Sequence, residues 1–518
     1  MSRKTSVVVL VALGVILGAV LIFAGLSQRY LWDDEAETAL LAERVLRFGV
    51  PLAWDGASLV SQECGQDYDQ NYVWRQTPWL PIYVAAASFK LFGVSTFAAR
   101  LPFALLGLLA VPSMYLLARR VFNDWTTAHL AAASLLFSVP FLLHVRQCRY
   151  YSLAIFASIW ILYFFFSLRE RPRLAAAGLA VSLTMLLHTS QLLFFGAVAG
   201  LALGFLVARF ERAALPWLAA GLAAAVALNF PWLLGSDLGG KSGNLLSLNS
   251  AAIYLTSLIW YVTRIESYAF SALLLGAALV VVVAMKWTRI DFAAPETRAC
   301  LFLVAFTVAH VVVVALVPFV FFRYALTLLP LLALLQARII RVIGQGSRAL
   351  AAAVLLLALL IDRGDLVFAG RFTITLYKYV DEIVHHVPGP IEGIVTYLKD
   401  AARPGDRVFI SYGDLPLRFY TKLEVRGGQG CQSLAGWPPP EWAIVRYFFR
   451  FRPAAPGATE DAGRTIQYLR SELTERQYRR IDLPVIDTIW ENIPEPDRLV
   501  FRIPANRAKV SLYQKIRP

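Results

Sequence analysis

The sequence predicts a mainly α, polytopic membrane protein with a small extracytoplasmic α/β domain at its C-terminus. Of its 518 residues, 58% are hydrophobic and 16% are charged, whereas soluble domains are about 45–50% apolar and about 25% charged. The first apolar run, Ser6 to Leu26, is long enough to cross a hydrocarbon core of about 30 Å. It leads into Gln28 and Arg29 without the small-residue cleavage site of a signal peptide, so we expect a retained membrane anchor.

About eleven transmembrane helices are predicted. After the first run they lie near residues 101–118, 125–144, 150–168, 174–188, 190–208, 214–234, 269–285, 299–320, 322–337 and 347–361. Clusters of Arg and Lys lie at alternate span ends, and cytoplasmic loops carry an excess of these residues. This predicts a cytoplasmic N-terminus and an outward C-terminus in the cell inner (plasma) membrane. It also explains the net charge of +14 without nucleic acid as a partner.

The topology requires that the run 79–93 does not cross the membrane. This run is short and contains Lys90, which suits a helix in the outer interface better than a span. Residues 1–364 are then predicted to form the membrane domain, with outer loops at 27–100 and 235–267.

Residues 365–518 are predicted to form the extracytoplasmic α/β domain, because apolar runs shorten there and Pro, Gly, Arg and Asp increase. RVFISYGD is expected to form a strand, and TIQYLRSELTERQYRRI to form a polar-faced helix. The four cysteines show no CxxC pair and no zinc spacing. If they face an oxidising compartment, a disulfide can form among three of them, Cys64, Cys148 and Cys431.

Three carboxylates, Asp33, Asp34 and Glu35, follow the first predicted span in YLWDDEAE. One interpretation is helix capping by an Asp, with the remaining charge complementing the helix dipole. Three carboxylates exceed what capping requires, and they also suit a general base or a metal-binding pair at the membrane surface. The helix that follows has Leu41, Val45 and Phe48 on one stripe, which predicts that it lies on the membrane.

Arginines on the predicted outer face suggest an anion site. Arg146 and Arg149, in HVRQCRYY, are either interfacial anchors beside Tyr150 or ligands of an anion. Arg323, followed by Tyr324, stands between two apolar runs, where a charge is costly and phosphate recognition is favoured. His144 and His188 are each either a structural hydrogen-bond donor or an acid–base group or metal ligand.

Four stretches in order resemble a known family: WDDEAETALLAERVLRFGVP, PWLPIYVAAASFKLFGVSTFAARLPFALLG, HVRQCRYYSLAIF and FRYALTLLPLLALL. Over about residues 1–340 they resemble the GT-C glycosyltransferases that use polyprenyl-phosphate sugars. The most similar branch holds protein O-mannosyltransferases and the lipid A aminoarabinose transferase. The resemblance implies a cell-envelope enzyme that transfers a sugar, with inversion, from a polyprenyl phosphate to an acceptor hydroxyl. The acceptor would be a protein, a glycolipid or a wall polysaccharide.

Carried over residue by residue, the resemblance implies that Asp34 is the catalytic base with Glu35 beside it, and Asp33 as base is the alternative register. It implies that Arg323 binds the donor phosphate. Tyr324, beside it in the sequence, and Arg149, as a further positive charge for the departing phosphate, are predicted to share this role. Further substrate-binding candidates are Asp33, His144, Arg146, Tyr150 and His188. The stretch RQCRYYS lacks the aspartate found in many relatives. A divalent metal, for which Glu35 and His188 would be candidate ligands, is therefore left open.

Two other classes of function fit parts of the pattern. A transporter or flippase for a lipid-linked or anionic substrate would use the carboxylates as proton relays, but transporters usually have repeats and ionisable residues in mid-span. A structural or sensory membrane protein would need neither the acidic cluster nor Arg323. Uninterrupted spans with the polar residues at one end favour an enzyme.

Overall fold

The computed structural model describes residues 3–209, 212–235, 250–285, 291, 294–317, 319–361, 366, 370, 373–430, 432, 434, 436–446, 477–488, 495–496 and 508–516. The chain divides into two compact units. The helical unit comprises Met1–Ala24, Phe103–Ile383 and Glu495–Asp497, and the mixed unit comprises Gly25–Pro102, Val384–Pro494 and Arg498–Pro518. Residues 25–102, most of them in the predicted first outer loop, thus belong to the same compact unit as most of the C-terminal region.

Most helices follow the apolar runs of the sequence. In chain order the first nine are α1 Arg3–Phe23, α2 Asp33–Phe48, α3 Leu80–Phe92, α4 Thr96–Phe122, α5 Trp125–Leu136, α6 Val139–Val145, α7 Tyr151–Phe165, α8 Pro172–Leu187 and α9 Gln191–Val207. They continue with α10 Leu215–Gly235, α11 Ala251–Tyr268, α12 Ala272–Ala284, α13 Pro295–Val314, α14 Leu329–Gly346, α15 Arg348–Leu360, α16 Thr375–Val384, α17 Pro390–Ala401 and α18 Asp414–Tyr420. A 3-10 segment, Phe322–Leu328, precedes α14.

The chain is a multi-pass membrane protein. Within the described residues, four helices are long and apolar enough to cross a membrane, or six if each of two bent helix pairs is one span. Each of the eleven predicted spans coincides with at least one helix, although several are shorter apolar helices of 10–17 residues. The number of crossings therefore stays a prediction. Helix α3 has 13 residues, which reach about 20 Å at 1.5 Å per residue, so it is short for a span.

The second half of the predicted outer loop 235–267 is helical, because residues 251–268 form the 18-residue helix α11. The Ser250 side chain accepts a hydrogen bond from the Ile253 amide and caps this helix. Helix α11 joins α12 at a bend of 66°. Residues 236–249 of the predicted outer loop lie outside the described residues.

The mixed unit contains a five-stranded sheet in the order β2-β1-β3-β5-β4. Its strands are β1 Arg407–Ile410, β2 Glu424–Gly427, β3 Trp442–Ile444, β4 Tyr478–Ile486 and β5 Lys509–Lys515. Strand β1 pairs in parallel with β2 and β3, whereas β5 is antiparallel to β3 and β4. The apolar core between the sheet and its helices includes Ile394, Val408, Leu417, Trp442 and Leu512.

The C-terminal secondary-structure predictions had mixed outcomes. The strand predicted in RVFISYGD is confirmed as β1. The helix predicted over TIQYLRSELTERQYRRI is wrong at its C-terminal end. Residues from Tyr478 onward form β4, which pairs with β5. Pairing with a distant strand overrides local helix propensity here.

The prediction that α2 lies on the membrane through its apolar stripe is wrong. Leu41 and Val45 are buried, and α2 packs within the protein against α3 and α18. Among the stripe residues, Phe48 is exposed. The sequence pattern correctly indicated an amphipathic helix, but it could not distinguish a lipid surface from another helix as the covering partner.

The cysteine prediction is partly resolved. Cys64 is disulfide-bonded, whereas Cys148 and Cys300 form no disulfide. Cys148 is therefore not part of a disulfide, and its burial is typical of a small apolar side chain. Cys431 lies outside the described residues.

Candidate functional site

Most of the predicted site residues lie in two clusters, one in each compact unit. The acidic cluster is the first turn of α2, where Asp33, Asp34 and Glu35 follow Trp32. The N-cap position is held by Trp32, so the predicted capping by an Asp is wrong. The three carboxylates instead lie where the helix dipole favours negative charge.

The three neighbouring carboxylates have different environments. Asp33 and Glu35 are buried, whereas Asp34 is partly exposed. The Asp34 carbonyl accepts a hydrogen bond from the Thr38 hydroxyl one turn later, at 3.2 Å, so the residue is held in regular helical geometry. Of these three side chains, Asp34 is the one that solvent or a substrate can reach.

Glu35 forms a buried, bidentate salt bridge with Arg100. The Arg100 Nε donates to Glu35 Oε1 at 2.8 Å, and its Nη2 donates to Oε2 at 2.6 Å. The same guanidinium donates to the carbonyls of Leu26, Arg29 and Tyr30. This set of bonds satisfies the charge of Glu35 and fixes the backbone that leads into α2. Glu35 therefore has a structural partner on both oxygens.

Arg418 brings positive charge from α18 to the acidic turn. It forms a salt bridge with Asp414 at 3.1 Å and also interacts electrostatically with Asp33 and Asp55. Burial lowers the pKa of Arg418, and the three aspartates oppose that shift. Since α18 packs on α2, the C-terminal region supplies part of the environment of Asp33.

Tyr420, at the end of α18, holds the residues just before α2. Its ring stacks on Tyr30 at 4.3 Å, and its hydroxyl accepts a hydrogen bond from the Leu31 amide at 2.9 Å. Thr96 is a second hydroxyl partner, at 2.6 Å. Burial raises the pKa of Tyr420 to about 12.

The loop 50–78 is anchored to the far end of α2 by Arg44. This buried guanidinium donates to the carbonyls of Leu52, Ala53 and Ser58. Burial lowers the pKa of Arg44 to about 10. Closer to the acidic turn, Gln62 donates to Glu37 at 2.9 Å. The loop is therefore fixed in place by several bonds to α2.

The second cluster, in the helical unit, is basic and aromatic. It centres on the 3-10 segment Phe322–Leu328, which contacts α6, α7, α9, α11, α13 and α14. The Arg323 guanidinium lies 4.1 Å from the centre of the Phe321 ring and 5.8 Å from that of Tyr324. These contacts support the planar cation in a fixed orientation.

The structure brings five predicted residues into this cluster. Tyr150 interacts electrostatically with Arg323, Tyr324 and Arg149, and the charge of Arg323 also acts on His144. The His144 Nδ1 lies 2.7 Å from the Pro140 carbonyl, and its ring meets Tyr151 edge-on at 5.0 Å. Two arginines thus share one aromatic environment that can receive an anion.

His310 supports the cluster from α13, and the sequence analysis did not identify it. Its Nε2 lies 3.1 Å from the Tyr324 carbonyl and 3.1 Å from the Thr327 hydroxyl. A Cβ at Gly196 would stand 2.4 Å from the His310 Nδ1, so this close approach requires glycine. A histidine in the middle of a predicted span was the signal that could have identified it.

Arg146 and His188 have other surroundings within the helical unit. Arg146 donates to the Tyr379 hydroxyl at 2.9 Å and to the Ala24 carbonyl at 2.5 Å. His188 ends α8 and packs edge-on against Trp232 at 5.3 Å. Their predicted role in substrate binding stays a prediction.

The side chains present do not fit the metal site considered from the sequence. Both Glu35 oxygens accept hydrogen bonds from Arg100. Among the described residues, no three His, Cys, Asp or Glu side chains are grouped so that they could hold a metal ion. We therefore derive no step through a metal.

Comparison with known proteins agrees with the family resemblance. Residues 76–234 match the dolichyl-phosphate-mannose-protein mannosyltransferase family. No curated protein sequence matches this chain.

The fold is similar to solved glycosyltransferase structures over nearly the whole chain. ArnT from Cupriavidus metallidurans bound to undecaprenyl phosphate is similar with a TM-score of 0.58 at 15% identity, covering 99% of this chain and 98% of ArnT. Its apo state gives a TM-score of 0.59 at 14% identity, with the same coverage. The oligosaccharyltransferase AglB from Archaeoglobus fulgidus, in complex with an inhibitory peptide and a dolichol-phosphate, gives 0.54 at 12% identity, covering 98% of this chain and 76% of AglB.

The fold class predicted from the sequence is confirmed by these likenesses. Over residues 76–234 the chain is thus similar to a mannosyltransferase family, and over nearly its whole length its fold is similar to that of ArnT.

Proposed function

We propose that the protein transfers a sugar from a polyprenyl phosphate to an acceptor hydroxyl on the outer face of the membrane, with inversion at the anomeric carbon. Asp34 acts as the general base on the acceptor hydroxyl. Arg323, with Arg149 and Tyr324, binds the donor phosphate. The acceptor is a protein, a glycolipid or a wall polysaccharide.

The proposal rests on the difference in exposure and bonding among the three carboxylates of the acidic turn. A general base must come within hydrogen-bond reach of its substrate. Asp33 is buried beside the charge of Arg418, and Glu35 is bound on both oxygens by Arg100. Asp34 is partly exposed, which favours it over the alternative register with Asp33 as base.

The basic cluster supports the donor assignment by its chemistry. Bond breaking at the anomeric carbon leaves negative charge on the lipid phosphate, and fixed positive charge there lowers the barrier. A guanidinium can bind two phosphate oxygens at once. Arg323 and Arg149 each carry a guanidinium, and both interact electrostatically with Tyr150. The undecaprenyl phosphate bound by ArnT and the dolichol-phosphate bound by AglB support a polyprenyl phosphate as donor.

The disulfide of Cys64 supports the proposed orientation. Disulfides persist in oxidising compartments and are rare in the cytosol. Cys64 belongs to the mixed unit, so this unit is proposed to lie outside the cytoplasm. That placement agrees with the cytoplasmic N-terminus expected from the distribution of basic residues.

The test measures polyprenyl-phosphate lipids by mass spectrometry in cells that carry either the wild-type protein or Asp34→Asn. We expect a glycosylated carrier lipid to accumulate with Asp34→Asn, and its mass would also identify the sugar. Asp482→Asn is the matched control, because Asp482 is an exposed aspartate on β4 that pairs with Arg480 and Ser511. Identical lipid profiles, with the Asp34 variant folded and inserted and no other enzyme consuming the donor, would contradict the assignment.

A further inference from the structure

A separate polar cluster lies at the turn between α4 and α5. Tyr115 and Arg119 are one helical turn apart near the end of α4, and Trp125 and His129 are one turn apart at the start of α5. The Arg119 guanidinium lies 3.8 Å from the centre of the Trp125 ring. The Tyr115 ring is 6.2 Å from Trp125 and 5.0 Å from His129. The four side chains thus form one continuous group.

Three polar atoms of this cluster are buried without a hydrogen-bond partner. They are the Tyr115 hydroxyl, the Arg119 Nη1 and the His129 Nδ1, and none finds an acceptor or donor within the described part of the chain. Leaving such an atom unsatisfied in a buried position is unfavourable. Three in one place are more than packing alone explains, and all three can donate a hydrogen bond.

The nearby charged residues are engaged elsewhere. Asp124 accepts hydrogen bonds from the Thr127 amide and hydroxyl and from Arg341. Arg120 pairs with Glu170 at 2.5 Å. Arg119 differs from these residues, because its Nη2 donates to the Asn123 side chain at 3.2 Å while its Nη1 has no acceptor. An anion that satisfies the cluster must therefore come from outside the described side chains.

We propose that Tyr115, Arg119 and His129 form a binding site for the phosphate group of an anionic ligand. A phosphate offers several acceptor oxygens, which suit a guanidinium, a phenol and an imidazole as donors. The source of the phosphate is either an anionic lipid headgroup or a soluble phosphate. The turn joins a candidate span to a bent helix pair, so it lies at a membrane surface, where both sources are available.

The surface around the cluster suits a lipid. Trp125 is 39% exposed and Leu116 is 49% exposed, so an aromatic ring and an aliphatic chain flank the polar atoms. Tryptophan is enriched at the level of lipid headgroups. An anionic phospholipid would place its phosphate on the cluster and its acyl chains along α4. This site is separate from the acidic and basic clusters of the proposed catalytic machinery.

The test compares lipid retention by native mass spectrometry. Full-length protein is placed in nanodiscs of phosphatidylcholine with a minor share of phosphatidylglycerol, and the phosphatidylglycerol that stays bound is counted. We expect Arg119→Gln to retain it about tenfold more weakly than the wild type, since the variant loses a charge-assisted hydrogen bond to the phosphate. Arg212→Gln is the control, because it removes the same charge from an exposed residue.

Tyr115→Phe separates binding from folding. It removes only a buried hydroxyl that has no partner, so we expect an unchanged or higher Tm in lipid-free detergent together with weaker phosphatidylglycerol retention. A second arm adds inorganic phosphate to the lipid-free protein and measures the rise in Tm. A rise that Arg119→Gln abolishes, without lipid retention, would identify soluble phosphate as the source. Equal retention and equal Tm responses in the wild type and both variants would overturn the proposal.

Discussion

Arg100 and Glu35, which are 65 positions apart, form a buried salt bridge through two hydrogen bonds of 2.8 and 2.6 Å. This pair joins two stretches that carry the family resemblance, WDDEAE and FAARLP. It gives each stretch a physical role. The first carries Asp34, and the second binds the neighbouring Glu35 on both carboxylate oxygens.

Breaking this pair should destabilise the mixed unit. Glu35→Ala would leave Arg100 as an uncompensated buried charge, and such changes cost about 3–5 kcal/mol. We expect a lower Tm for Glu35→Ala and for Arg100→Ala, measured by thermal unfolding in detergent. A double change to Met at both positions should recover only part of the loss, because Arg100 also binds the carbonyls of Leu26, Arg29 and Tyr30. Single variants as stable as the wild type would contradict this account.

The sequence predicted features that depend on local pattern. The spans followed from apolar runs, because the thickness of the hydrocarbon core sets their length. The choice of Arg323 as a candidate site residue followed from the cost of charge at membrane depth. The strand β1 followed from its apolar residues and the turn after it.

Features that depend on distant partners were not predictable in this way. The apolar stripe of α2 was assigned to the membrane, but Leu41 and Val45 are buried and α18, more than 360 positions away, packs on this helix. Arg418 also belongs to α18, so its electrostatic interaction with Asp33 depends on the same distant packing. Arg100 was visible as a charge inside an apolar stretch, and that signal could have identified it as the partner of a carboxylate. Its salt bridge occupies Glu35, one of the carboxylates that the sequence predicted to be catalytic.

Tyr420 should make the mixed unit sensitive to alkaline pH. Its pKa is raised from 10.0 to about 12 by burial, so the folded state holds the phenol proton more tightly than the unfolded state. The stability from this group is fully present below pH 10 and is lost as the pH rises towards 12. We expect Tm to fall across this window in the wild type. Tyr420→Phe should have a lower Tm at neutral pH, because the Leu31 amide loses its acceptor, and a flatter decline above pH 10. Parallel curves for the two proteins would contradict the prediction.

The disulfide of Cys64 should link the first loop to the C-terminal region. Cys148 and Cys300 form no disulfide, and the Cys64 amide donates to the Gln429 carbonyl at 3.1 Å. The remaining cysteine of the sequence, Cys431, comes two positions after Gln429, so we expect peptide mapping without reduction to recover a Cys64–Cys431 peptide. Cys64→Ser should lower the free energy of unfolding by about 2–4 kcal/mol. A Cys300→Ser control should leave the linked peptide in place, and a Cys64 peptide without this partner would sink the prediction.

Arg323 and Arg146 should differ in their kinetic effects, although the sequence presented both as candidate ligands. Arg323→Gln should lower kcat about 10²–10³-fold, as removal of a fixed group that stabilises transition-state charge does in other enzymes. Arg323→Lys should recover only part of this loss, because Lys keeps the charge but cannot bind two phosphate oxygens through one planar group. Arg146 bonds to Tyr379 and Ala24, so Arg146→Gln should lower Tm and leave the KM for the lipid-linked donor unchanged. The measurement is sugar transfer by purified protein in nanodiscs at varied donor concentration. A donor KM that rises for Arg146→Gln, or full activity of Arg323→Gln, would reverse the two assignments.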